Sequence, residues 1–104
     1  MLDTTFAALA DPTRRSILGL LAERERSVGE VVDQFAIAQS AISRHLSVLE
    51  SARLIARRRE GQRRICTLRP EALSEVDDWI QLYREQWQQA LSRLDRTVAR
   101  KPQP

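Results

Sequence analysis

Two sets of side chains in this sequence have the types and the spacing to do chemistry on a partner. The first is Gln39, Ser40, Ser43, Arg44 and Ser47, polar residues at helical spacing in a segment whose other side carries Ile42, Leu46 and Leu49. Short hydroxyls let a helix approach a surface closely, and Gln and Arg reach base edges or phosphates from it. An amphipathic helix with a merely solvated face has the same pattern, so this set alone leaves both readings open. The second set is cationic. Between positions 38 and 69 stand eight arginines (44, 53, 57, 58, 59, 63, 64 and 69) against only Glu50 and Glu60, although the whole chain has a net charge of just +3. The guanidinium is always charged and presents a fork of donors that suits phosphate. Residues 71–104, by contrast, hold five cations and six anions, so the two regions do different work.

The remaining reactive groups exclude more than they offer. One Cys and one His among 104 residues cannot build a disulfide framework or a Cys/His zinc site, and no metal or other cofactor is expected. Ser43 and Ser47 stand two residues to either side of His45, a separation that does not face on a helix. No third group, paired carboxylates or phosphate loop accompanies them, so no catalytic residue is assigned and the chain is not expected to be an enzyme. His45 reads as a partly buried residue beside the apolar stripe, hydrogen-bonding to backbone or to phosphate. Cys66 alternates with Leu68, which favours a buried structural thiol; a thiol sensor with Arg64 two positions away is the alternative. Glu75, Asp77 and Asp78 cluster near the start of a helix, where its dipole favours negative charge.

These groups need elements to position them. Asp11-Pro12 is a helix start, with Asp capping free amides and Pro at the first position; Ile17, Leu18 and Leu21 then predict a helix over 12–23. A short helix carrying Phe6 and Leu9 precedes it. Ser27-Val28-Gly29-Glu30 matches a capping box, and Val28, Val31, Val32 and Phe35 predict a third helix of about two and a half turns. Ala36-Ile37-Ala38 interrupts the pattern before the Ile42, Leu46 and Leu49 stripe restarts it, which makes a helix-turn-helix candidate. Downstream, Leu54 to Arg59 and Arg63 to Leu68 flank Gly61 as two strands of a hairpin. Arg57, Arg58, Arg59, Arg63 and Arg64 surround its tip, and strand alternation lets only some of them face the same way. Arg14 and Arg15 sit in the first turns of their helix, where a cation is disfavoured by the dipole, so a role at a polyanion or in pairing with an acid is expected.

Beyond Pro70 there is no Gly or Pro until Pro102. Leu73, Val76, Ile80, Tyr83, Trp87, Ala90, Leu94 and Thr97 follow the alternating three-four spacing of a heptad seam, widened by Leu91 and Val98. About 28 residues of helix extend about 42 Å, too long for a small domain to cover. With Trp79, Tyr83 and Trp87 as anchors, homodimerisation is favoured over packing against the chain's own core. Residues 101–104 read as a disordered tail. The apolar fraction of 42% is enough for a core, yet the longest apolar run, 17–22, falls far short of the roughly 20 residues a membrane span needs. A cytoplasmic protein with no membrane partner is expected.

Ala8-Leu9-Ala10-Asp11-Pro12-Thr13-Arg14-Arg15, then Ser43-Arg44-His45-Leu46-Ser47-Val48-Leu49, then Leu54-Ile55 and the Arg-rich hairpin resemble the ArsR family of winged helix-turn-helix repressors over residues 5–98. The opening stretch is similar in particular to the branch lacking the metal site, often described as autorepressors. The resemblance implies a homodimer in which the first and last helices form the interface and the fourth enters the major groove of double-stranded DNA. Metal-sensing members carry a Cys-x-Cys-type pair in the helix corresponding to 28–35, or Asp/His ligands on the last helix. Here Gly29, Glu30, Val31 and Val32 occupy the first place and no His follows His45, so the resemblance implies a metal-independent member. Two positions depart from the pattern. Arg53 stands where many relatives have Gly, and must turn left-handed or end the helix differently. Ala38 stands where Ser commonly caps the recognition helix.

The expected architecture is mainly α, an α+β winged helix-turn-helix with a two-stranded β-hairpin wing and a long C-terminal dimerisation helix at about 71–98, in one domain over 1–100. Expected DNA contacts are Gln39, Ser40, Ser43, Arg44, His45 and Ser47, with Arg57, Arg58, Arg59, Arg63 and Arg64 from the wing; base readers and backbone positioners are not separable by sequence. The expected dimer interface is Phe6, Leu9, Leu73, Val76, Trp79, Ile80, Tyr83, Trp87, Leu91 and Leu94. This describes a dimeric, sequence-specific transcriptional regulator, in the first place a repressor on an inverted-repeat operator. The alternatives are a redox- or ligand-responsive sensor and a protein-interaction module built on the last helix.

Overall fold

Two of the helices begin at a residue whose side chain satisfies free amides of the first turn. The computed structural model describes residues 2–99, the side chains of 97–99 excepted. In chain order the elements are α1 (Leu2–Leu9), α2 (Pro12–Glu23), β1 (Arg26–Ser27), α3 (Val28–Asp33), α4 (Gln39–Ser51), β2 (Ile55–Glu60), β3 (Arg63–Leu68) and α5 (Glu71–Ala99). The Asp11 carboxylate accepts from the Arg14 amide at 3.0 Å, with Pro12 at the first helical position of α2. Ser27 and Glu30 form the capping box of α3: the Glu30 amide donates to Ser27 Oγ at 3.1 Å and the Ser27 amide to Glu30 Oε1 at 3.0 Å. Ala38 starts α4 with no side-chain hydrogen bond, and Ser40 does not replace it.

The core lies between α2, α4 and the sheet. Ile17, Val31, Ile42, Leu46, Leu49, Leu54 and Cys66 are wholly buried, and Leu9, Val28, Val32, Phe35, Leu68 and Leu73 pack against them. Ile42, Leu46 and Leu49 therefore turn inward together, which leaves the polar side of α4 outside. The third helix is shorter than the apolar spacing predicts. It closes after six residues at Asp33, and the Phe35 amide donates to the Val32 carbonyl in the following turn. Phe35 still reaches the core, so the apolar spacing reports burial rather than helix length.

The sheet also differs from a two-stranded hairpin. It has three antiparallel strands in the order β1-β3-β2, with Arg26 opposite Cys66 and Ser27 opposite Ile65 on the outer side of β3. Ser27 is extended as the cap of α3, so these residues already present their backbone to a free strand edge. A strand of two residues carries no alternation for a sequence pattern to reveal. Across the hairpin, Gly61 has φ +64° at the first of two loop residues, the place that a type II′ turn reserves for glycine.

Helix α5 runs 29 residues, about 43 Å. Its first turns pack on α1, where Phe6 meets Trp79 edge-on with ring centroids 5.6 Å apart. From 81 to 96 every residue is exposed. The radius of gyration is accordingly 19.0 Å, against about 13 Å for a compact chain of this length. Thr97 and Val98 of the predicted seam, and the 101–104 tail, lie outside the residues whose side chains are described.

Arg53 resolves one departure noted in the sequence. It takes φ +61° after α4, its amide donates to the Glu50 carbonyl at 2.9 Å, and the Leu54 amide donates to Leu49 at 3.0 Å. That is a Schellman ending, closed by the buried contact partners Leu49 and Leu54, with arginine in the position where glycine avoids a Cβ clash. Arg53→Gly is expected to stabilise the fold by about 1 kcal/mol and to raise Tm by about 5 °C. Thermal melts of the two proteins check this, and an unchanged or lower Tm would show that the left-handed arginine is not strained.

Candidate nucleic-acid interface

The outer face of α4 is built by default once its apolar stripe is buried. Gln39, Ser40, Arg44 and Ser47 are exposed, and Ser43 is half-buried toward the hairpin. Val48, 40% exposed, adds an apolar group to the same surface. His45 lies elsewhere. Arg14 Nη1 is 3.3 Å from its Nδ1, and its Nε2 is 3.9 Å from the Asp11 carboxylate. The ring thus ties α4 to the start of α2, in a half-buried position beside the stripe. Arg14 and Arg15 also have structural work. Arg14 Nε donates to the Ala8 carbonyl at 2.7 Å, its Nη2 to Ala7 at 3.1 Å, and Arg15 Nη1 to Leu9 at 2.7 Å. They hold the carbonyls of the last turn of α1, of which Ala7 also accepts from the Ala10 amide at 3.3 Å, a role that only the turn between α1 and α2 reveals.

Strand alternation divides the five hairpin arginines. The register sets Ile55 opposite Leu68, Arg57 opposite Cys66 and Arg59 opposite Arg64 on one face, and Arg58 opposite Ile65 and Glu60 opposite Arg63 on the other. The first face adjoins α4: Arg57 Nη2 donates to Glu50 Oε1 at 2.8 Å and lies 3.5 Å from Ser47 Oγ. Hydrogen bonding to Arg57 holds the Glu50 carboxyl below its ordinary range and raises the guanidinium in return. On the second face, Arg58 and Arg63 are drawn back onto the body of the protein by Glu25, Glu60 and Glu30. Neither Arg59 nor Arg64 forms an ion pair or side-chain hydrogen bond among the described residues, and the same holds for Arg44. Like charges directly opposite across a strand pair repel, so Arg59 and Arg64 form a site that an anion would relieve.

A groove runs between the two elements, lined by Gln39, Ser43, Arg57, Gln62, Arg63 and Arg64. Gln62 was absent from the sequence reading; its place beside Gly61 at the hairpin tip is the signal that could have found it. The pairing of Glu25, Glu30 and Glu50 with hairpin arginines is equally unmarked in the sequence. Their partners lie 33, 33 and 7 residues away, and no local pattern links them. Cys66 is fully buried, and burial pushes its thiol up, which disfavours the reactive thiolate. Among the described residues no three His, Cys, Asp or Glu side chains gather as a metal site would need, and no helix is long and apolar enough to cross a membrane.

A helix-turn-helix with a polar outer helix and an arginine hairpin beside it is a nucleic-acid-binding arrangement. Residues 11–57 match the family model described as "Bacterial regulatory protein, arsR family". The chain is 34% identical over 79 residues to the transcriptional repressor SdpR of Bacillus subtilis, covering 76% of this chain and 88% of that one. It belongs to the ArsR family. This ArsR-family chain is also 40% identical over 74 residues to the HTH-type transcriptional regulator Rv2034 of Mycobacterium tuberculosis, covering 71% and 69% of the two. A solved ArsR family transcriptional regulator, RHA00566, superposes with a TM-score of 0.77 at 33% identity over 84% of this chain and 90% of that one. The ArsR-family fold is thus a DNA-binding regulator's and not an enzyme's, with a winged helix and a long last helix.

The expected dimer residues divide by position. Leu9 and Leu73 pack on the chain's own core. Val76, Trp79 and Ile80 are half-buried, whereas Phe6, Tyr83, Trp87, Leu91 and Leu94 are exposed. Trp79, Tyr83 and Trp87 form one aromatic ladder, its centroids 5.4 to 5.6 Å apart, that ends in solvent.

Glu30, the reciprocal partner of Ser27 in the α3 capping box, stays ionised well into acid. The Ser27 amide and hydroxyl, followed by Arg24, lower Glu30 to about 2 from an ordinary value of 4.5. A depressed folded value means that Glu30's contribution is complete above about 4.5 and is lost as pH falls toward about 2. Glu30→Gln keeps a capping side chain without the titration, so its melts should lose less stability across that window than the parent's. Equal losses would remove Glu30 from the acid transition.

Proposed function

We propose that the chain is a homodimeric, metal-independent repressor that occupies an inverted-repeat operator in the cytoplasm. The observation that carries this reading is the shared exposure of Gln39, Ser40, Arg44 and Ser47 on α4 beside the acid-free Arg59–Arg64 pair. In it, α4 reads base edges in the major groove while the hairpin arginines grip the flanking backbone. Ser43 and Gln62 line the groove between them, and Arg57, tethered to Glu50, borders it. His45, held by Arg14 and Asp11, supports α4 from behind. The similarity to the repressor SdpR supports repression by occupancy.

The dimer is supported by the last helix. Tyr83, Trp87, Leu91 and Leu94 are 39, 43, 60 and 59% exposed along one face of this element, an apolar surface that a single chain has no means to cover. Its charges are uneven: Glu71, Glu75, Asp77 and Asp78 crowd the first turns, while Arg84, Arg93 and Arg96 against Glu85 and Asp95 leave residues 81–96 at +1. Antiparallel pairing of two copies brings opposite charges together, whereas parallel pairing stacks like on like. A two-fold dimer then presents its two α4 helices to half-sites about 34 Å apart. The absence of Cys and His from 28–35 and of His after 45 supports metal independence. The burial of Cys66 weighs against a redox sensor.

Selection of bound duplexes from a random pool should recover an inverted repeat. Arg44→Ala should weaken binding to that duplex more than to a scrambled one, and Arg59→Gln with Arg64→Gln should weaken both. Affinity should fall about 10³- to 10⁵-fold from 50 to 200 mM salt for roughly 6–10 neutralised phosphates. Recovery of no symmetric sequence would sink the operator reading. Sedimentation should report a dimer at micromolar concentration, and Trp87→Asp with Leu91→Asp should yield monomer; a monomeric parent would overturn the pairing of the last helices.

A further inference from the structure

Three of the five hairpin arginines are already engaged by carboxylates, and the most complete of these engagements has no place in DNA reading. Arg58 makes a two-pronged fork with Glu25, Nη1 to Oε2 at 2.9 Å and Nη2 to Oε1 at 2.8 Å, and its Nη2 also meets Glu60 Oε2 at 3.0 Å. Glu25 comes from the segment before β1, so the fork spans the molecule from body to hairpin. Its side chains are about half exposed, 46% for Arg58 and 48% for Glu25. Pairs so exposed contribute little to stability. What the fork does is chemical: it cancels one charge and fills the guanidinium donors that would otherwise grip phosphate. Hydrogen bonding to Arg58 lowers the Glu25 carboxyl, so the clamp stays ionised at neutral pH.

Position gives this neutralisation a direction. Arg58 lies on the strand face opposite Arg59 and Arg64. Its guanidinium is turned toward Glu25 and Glu60 rather than toward the face that Arg59 and Arg64 share with α4. On a random sequence the protein has no single seat, and any free cation near the tip adds counterion release without regard to the bases. We propose that Glu25, seconded by Glu60, is a specificity-determining clamp that withholds Arg58 from DNA phosphates and so suppresses sequence-independent binding. The proposal rests on the reading that α4 and the Arg59–Arg64 pair face DNA. It assigns the two acids a function that removing negative charge near DNA brings out, because their loss tightens binding to the wrong sequences.

The test uses the full chain with Glu25→Gln and Glu60→Gln together, alone and combined with Arg58→Gln, with affinity for the selected operator and for a scrambled duplex measured across salt concentrations. The double variant should bind scrambled DNA roughly eightfold tighter at 0.1 M salt for each hairpin engaged, with the log–log salt slope steeper by about 0.9. Operator binding should change less, so the specificity ratio falls. In the Arg58→Gln background the steeper slope should vanish. An unchanged scrambled affinity and slope, or a slope change that persists without Arg58, overturns the clamp. Arg59→Gln with Arg64→Gln separates this from failure of the interface reading: if that pair leaves DNA binding intact the interface reading falls and the clamp with it. If the pair weakens binding while the acid variants have no effect, only the clamp falls. Unaltered melting temperatures identify each change as one of charge.

Discussion

The burial of Ile42, Leu46 and Leu49 is the constraint on which the rest of this structure depends. All three are fully excluded from solvent, and each such side chain contributes about 1.5–3 kcal/mol. A helix anchored by a stripe on one side has its opposite side chosen for it. Gln39, Ser40, Arg44 and Ser47 are outside because those three residues are inside. The same anchoring brings the end of α4 to Arg53, whose left-handed turn delivers Leu54 and Ile55 into the core and aims β2 outward. The outer face of α4 is therefore a consequence of packing before it is a matter of chemistry.

A second constraint acts on charge. A hairpin with five arginines around its tip would repel itself if nothing opposed them, and the fold sorts them by strand parity. One face meets the acids of the body, Glu25 and Glu30, and the other keeps Arg59 directly across from Arg64. Cationic density is thereby reduced to the side shared with α4. The lone long helix poses the complementary problem, an apolar ladder continuing past the body into solvent. Charge sorting on the hairpin and an uncovered apolar surface on α5 are the two features that the fold leaves unbalanced.

Much of the fold was legible. The Asp11-Pro12 start, the Ser27–Glu30 capping box, the α4 stripe, the Gly61 turn and the uninterrupted α5 are each written in a few neighbouring residues, and local hydrogen bonding or periodicity is enough to read them. The third helix was read too long because Phe35 continues an apolar spacing after the backbone has left the helix. β1 was missed because two residues have no period. The roles of Arg14 and Arg15 were open because their acceptors are the carbonyls of another helix, reached only after the chain turns at Ala10 and Asp11.

The division follows from range. The sequence by itself determined what depends on neighbours within a turn or two: where helices begin, which side of α4 is apolar, that arginine is concentrated between 38 and 69, and that one Cys and one His leave little metal chemistry. Only the tertiary structure decided which cations are spent. Arg58 and Glu25 are 33 positions apart, as are Arg63 and Glu30, and His45 meets Arg14 across 31. Charge is a property of composition, but its availability depends on what faces it. Folding brings an acid to some arginines and withholds it from others, and no local pattern records that choice.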